Sequence, residues 1–152
     1  MVRPTRQVEY EQMLLSRHGL LSQGGGRRKE GGMERSAYIL LSRIRVQGPM
    51  SIGELSDAFA LDASTLNRQT AAAVRAGLLE RIPDPDGGLA RKFRITADGE
   101  RSLDEEREAM VGILDDIMAD WPDADIAAFA GYLKRFNSGI ERRIGGHPWP
   151  RP

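Results

Sequence analysis

Cysteine is absent from this 152-residue sequence, which excludes disulfide frameworks, zinc–thiolate sites, thiol nucleophiles and cysteine-based oxidation sensing. Histidine is scarce: of the 2 present, neither His18 nor His147 has a carboxylate or second His at ligand spacing, so no metal site is expected. The Gly-rich stretch around Gly24 follows no strand pattern and lacks the Lys-Ser/Thr ending of a phosphate-binding loop. Without convergent nucleophile, base and oxyanion donors, the sequence argues against an enzyme and requires no cofactor. No apolar run approaches the roughly 20 residues that span a bilayer, and the N-terminus has no signal-peptide core. A cytoplasmic protein without membrane contact is expected. The net charge is +0, so contact with nucleic acid would have to come from a local basic patch rather than an overall excess.

What is present is unevenly distributed. Residues 65–96 carry Arg68, Arg75, Arg81, Arg91, Lys92 and Arg94 against Glu80, Asp84 and Asp86. Residues 98–125 reverse the sign, with eleven carboxylates opposed only by Arg101 and Arg107. The first stretch suits a polyanion and the second would be repelled by one, which fixes orientation as well as affinity.

The periodicity predicts mostly helix. Residues 6–21 carry Val8, Leu14, Leu15 and Leu21 at helical spacing. SQGGGRRKEGG at 22–32 then marks a loop, whose Arg27, Arg28 and Lys29 are expected to be solvated. Residues 33–47 resume a stripe of Ala37, Leu40, Leu41 and Ile44, stopped by Gly48-Pro49. Ser51 followed by Glu54 reads as a capping box, with Ile52, Leu55 and Phe59 on the buried face of a short helix. Leu61-Asp62 forms the turn, with Asp62 expected to cap the next helix, 63–76. That helix sets Leu66, Thr70, Ala73 and Val74 on one side. Ser64, Thr65, Asn67, Arg68 and Gln69 crowd its first two turns on the others, and Gly77 ends it. Residues 78–82 and 90–95 alternate as strands joined by PDPDGGL, with Phe93 and Ile95 facing one way and Lys92 and Arg94 the other. Two amphipathic helices follow, at 97–120 and 123–143, separated by Pro122. The tail GGHPWPRP should be extended, with no evident role for Trp149.

A helix-turn-helix followed at once by a hairpin is a winged helix, with one helix shaped for a major groove and cations on the wing for phosphates. The segments around 51–59, 61–65 and 77–81, the Asp84-Pro85 pair, and Phe93-Arg94-Ile95-Thr96 followed by Gly99 resemble the MarR family of winged-helix regulators. The resemblance is close over 33–114 and rests on helix pattern elsewhere. It implies a mainly α fold with a small β-wing. On this reading residues 1–32 hold a dimerisation helix and loop, 33–96 the winged helix-turn-helix, 97–144 further dimerisation helices, and 145–152 a tail. It also implies a homodimer on double-stranded DNA, a pseudo-palindromic operator, and release by a small, often aromatic, effector whose binding residues the sequence does not identify. One departure stands out. The family's wing-tip Asp-x-Arg falls at 87–89, where no Arg is present.

The expected DNA contacts are therefore Ser64, Thr65, Asn67, Arg68 and Gln69 from the recognition helix and Arg91, Lys92 and Arg94 from the wing, the latter on phosphates. Hydroxyls and amides at a helix start also serve as ordinary caps. With neutral charge and the altered wing tip, a winged helix that binds protein rather than DNA is the competing expectation.

Overall fold

The chain condenses around the apolar stripe of its second helix. The computed structural model describes residues 3–19, 33–145 and 147–152. Its elements run α1 (Thr5–His18), α2 (Arg35–Gln47), α3 (Ile52–Phe59), α4 (Ala63–Arg75), β1 (Leu79–Ile82), β2 (Lys92–Ile95), α5 (Ala97–Ile117) and α6 (Asp123–Arg143). The loop at 22–32, with Arg27, Arg28 and Lys29, and the expected end of the first helix at Leu21 lie outside the described residues.

Leu40, Leu41 and Ile44 of α2 meet Leu55 of α3, Leu66 and Ala73 of α4, Leu79 and Phe93 of the hairpin, and Leu103 of α5. Full burial of each large side chain contributes about 1.5–3 kcal/mol. Thr70 lies in the same core, and its hydroxyl donates to the Leu66 carbonyl at 2.7 Å, so no polar atom is stranded. The α4 stripe is thus confirmed at Leu66, Thr70 and Ala73.

The hairpin is antiparallel, with Leu79 opposite Ile95 and Glu80 opposite Arg94. Met50 adds a single bridge on its other edge, exchanging both backbone hydrogen bonds with Phe93 at 2.8 and 3.2 Å. This fixes the wing base to the linker that feeds α3. The capping box is formed as expected: the Ser51 hydroxyl accepts from the Glu54 amide, and Glu54 Oε1 accepts from the Ser51 amide, each at 3.2 Å.

The junction of wing and α5 explains the Thr-x-x-Gly pattern. The Thr96 hydroxyl donates to the Gly77 carbonyl at 2.6 Å and accepts from the Gly99 amide at 3.0 Å, capping α5 while clasping the start of the hairpin. Gly99 packs so tightly that a Cβ there would collide with the Leu78 carbonyl oxygen and approach Ile95 Cγ1 to 2.8 Å.

Three expectations need correction. Asp62 occupies the N-cap position of α4 with extended backbone, but its carboxylate accepts no capping hydrogen bond. The helix start is instead carried by the Asp62 carbonyl, which accepts from Thr65 and Leu66 amides. Helix α5 stops at Ile117 rather than near Asp120, giving way to turns before Pro122, whose ring disfavours helical backbone at Trp121. The tail is not idle, because Trp149 stacks on Phe59. Helices α1 and α6 bury none of their residues and leave Val8, Tyr10, Leu15, Phe129, Leu133, Phe136 and Ile140 exposed.

Candidate nucleic-acid interface

With Leu66, Thr70 and Ala73 turned inward, the 3.6-residue period of α4 turns Ser64, Asn67, Arg68 and Arg75 outward, and all four are exposed. Thr65 and Gln69 lie on the flank and are half-buried. Arg68 and Gln69 also border a cleft of about 600 Å³ between α4, the start of α2 (Ser36, Ala37) and Ser102 of α5. Five expected contact residues therefore separate into an outward set and a flanking pair. Arg75, not among them, extends the outward stripe by two turns; its spacing of seven from Arg68 was the available signal.

The wing cations differ sharply from one another. Arg94 faces Glu80 across the hairpin and donates to it from Nε at 2.8 Å and Nη2 at 2.5 Å. Lys92 Nζ lies 3.2 Å from Glu54 and 3.7 Å from Asp84, with 15% of its side chain exposed. The hydrogen bond to Glu54 holds the Lys92 ammonium above its ordinary pKa, against partial desolvation. Burial pushes the Glu54 carboxyl up, but the Ser51 amide and Lys92 together outweigh it and hold the group below its ordinary value. One carboxylate thus caps α3 and anchors the wing.

Arg91 is exposed and makes no ion pair among the described residues. It borders a depression with Asn67 of α4, Arg81 of β1 and residues Ser51, Ile52 and Gly53 at the start of α3. Arg81, not among the expected contacts, borders the same depression and lies with its guanidinium over the Phe93 ring at 5.6 Å. The structure therefore brings Asn67, Arg81 and Arg91 together, and leaves Lys92 and Arg94 neutralised. At the wing tip Leu89 is fully exposed. The surface has a helix stripe of hydrogen-bonding side chains flanked by the guanidiniums of Arg81 and Arg91, neither of which makes an ion pair among the described residues.

The sequence pattern of the MarR family matches residues 31–88. The uncharacterised HTH-type transcriptional regulator YxaD of Bacillus subtilis (strain 168) is 31% identical over 137 residues, spanning 90% of this chain and 95% of the relative. The chain belongs to the MarR family. A MarR family protein from Bacillus stearothermophilus shares the fold with a TM-score of 0.70 at 21% identity, over 92% of this chain and 99% of that one. BpsR of Bordetella bronchiseptica, whose DNA binding is regulated by 6-hydroxynicotinic acid, superposes with a TM-score of 0.63 at 18% identity, over 86% and 98%. As a member of the MarR family the protein is a DNA-binding transcriptional regulator and not an enzyme. Among the described residues no helix is long and apolar enough to cross a membrane.

Proposed function

We propose that the protein is a homodimeric, sequence-specific repressor in the cytoplasm that leaves its operator when a small aromatic effector binds. The observation that carries this reading is the outward stripe of α4, Ser64, Asn67 and Arg68, next to Arg81 and Arg91, which make no ion pair among the described residues. Arg suits guanine O6 and N7, and Asn suits adenine N6 and N7, so these two would read bases while Arg81 and Arg91 hold phosphates. Thr65 and Gln69 are secondary in this account because they are half-buried. Lys92 and Arg94 hold the wing in position, since their charges are already matched by Glu54 and Glu80.

The dimer is supported by α1 and α6, which bury nothing within one chain. Their exposed aromatic and aliphatic side chains need a partner, and a second copy supplies the same apolar faces with two-fold symmetry. Two heads would then meet half-sites about one helical turn apart. The effector reading draws on BpsR and on the cleft beside α4, which shares Arg68 and Gln69 with the base-reading helix. A ligand lodged there would compete for side chains the DNA needs.

The test is Arg68→Ala measured against operator variants. A loss of about 1–3 kcal/mol, concentrated at one base position per half-site, is expected. A loss uniform over all sequences would make Arg68 a phosphate contact and overturn its base-reading role. A protein-binding winged helix is the second reading, favoured by the neutralised Lys92 and Arg94 and the net charge of +0. It requires that Arg68→Ala leave DNA binding unaltered.

A further inference from the structure

The C-terminal tail turns back onto the helix-turn-helix. The Trp149 ring stacks on Phe59, the last residue of α3, with centroids 5.2 Å apart and planes 10° from parallel. The guanidinium of Arg43, a buried residue of α2, lies 4.6 Å from the Trp149 centroid. Arg43 also donates from Nε to Gln47 Oε1 at 2.8 Å, one turn along α2. Glu141, near the end of α6, accepts from the Trp149 amide at 3.2 Å and from Arg151 at 2.9 Å. Arg151 in turn donates to the Trp149 carbonyl at 2.7 Å. The backbone N–H and carbonyl of Trp149 are both paired, and its ring meets an aromatic ring and a guanidinium.

The location matters more than the stability. Helix α6 buries no residue and packs closely on none of the other described elements. The DNA-reading head is joined to α6 through α5 at one end. The tail supplies a second attachment, from the far end of α6 to the first helix of the helix-turn-helix. A body held at one point pivots; held at two, it keeps its angle.

We propose that Trp149 is a positioning residue: by fastening the end of α6 to α3, it fixes the angle of the reading head relative to the helices that pair the two subunits. This rests on the dimeric DNA-binding reading above. Two recognition helices enter successive grooves together only if both heads hold the right angle, so a loosened tail lowers the fraction of dimers competent for two half-sites. Each head taken alone keeps its own DNA surface.

The experiment uses full-length protein with DNA from upstream of its own gene, intact or cut to one half-site. From the usual strength of aromatic stacking and cation–π contacts, Trp149→Ala should weaken binding to the intact site about tenfold. It should leave the half-site affinity unchanged, and Trp149→Phe should restore most of the loss. Labelling with 5-fluorotryptophan gives one fluorine resonance for each of the 2 tryptophans. Trp149→Phe identifies that of Trp149, which should be shifted from the free-label position and shielded from a water-soluble paramagnetic agent. Glu141→Gln should move it toward the free position and weaken intact-site binding in parallel. Three results would overturn the proposal: a Trp149 resonance at the free position in the wild type, wild-type affinity in Trp149→Ala, or equal losses on intact and half-site DNA. Wild-type protein that binds neither DNA would refute the underlying DNA reading instead, while the fluorine resonance would still report whether the tail docks.

Discussion

Arg91 and Arg94 are three residues apart on the wing, yet the structure predicts a loss of salt dependence on removing the first and none on removing the second with its partner. Arg91 is exposed and unpaired beside Asn67 and Arg81, whereas Arg94 already holds Glu80 through two hydrogen bonds. A phosphate bound by Arg91 releases about 0.9 of a counterion, and a dimer presents the residue twice. Arg91→Gln should therefore flatten the slope of log affinity against log salt by about 1.8. The double variant Glu80→Gln/Arg94→Gln removes a matched pair without altering net charge, and its slope should equal that of the wild type. Fluorescence anisotropy on one operator at four or five salt concentrations measures both slopes. If the double variant flattens the slope as much as Arg91→Gln does, the division of the wing into anchoring and contacting cations is wrong.

Further consequences concern the frame that holds this surface. Gly99→Ala would press a methyl group into the Leu78 carbonyl and should cost about 1–3 kcal/mol in urea unfolding; an unchanged midpoint would show that the α5 junction yields. Ala60 ends α3 with φ of 52°, in the left-handed region, so Ala60→Gly should stabilise the protein by about 0.5–1 kcal/mol, read as a higher urea midpoint at unchanged m. Glu54 has a pKa depressed below its ordinary 4.5, so the stability from its contacts with the Ser51 amide and Lys92 is present above that pH and fades as pH falls through the folded value. An NMR titration of its side-chain carboxyl carbon should give a midpoint below 4.5, and a midpoint at or above it would contradict the shared role of this carboxylate.

Local rules made much of this architecture legible. Ser51 and Glu54 three residues apart and Gly77 after an apolar stripe each specify a hydrogen bond or a backbone angle within a few positions, and the structure contains both. Thr96 and Gly99 were legible only as a family motif, and the structure supplies its reason, a cap on α5. The inward set on α4 followed from its 3.6-residue period, and with it the outward Ser64, Asn67 and Arg68. Charge pairing was harder to foresee. Glu80 meets Arg94 only once the hairpin register is set, and Lys92 meets Glu54 only once the wing lies against α3. A count of basic residues along the wing therefore overstated its free charge. The tail was least legible. Trp149 sits among Gly and Pro with no periodicity, and its partners Phe59 and Arg43 are about a hundred residues away, so nothing local signals the stack.

The most direct test of the central claim is titration of the wild-type protein with DNA from upstream of its own gene beside scrambled DNA of equal length, at two salt concentrations. The account predicts a preference of about a thousandfold or more for the upstream DNA, with affinity falling steeply as salt rises. Weak and equal binding to both, or affinity indifferent to salt, would contradict it and turn the search toward a protein partner.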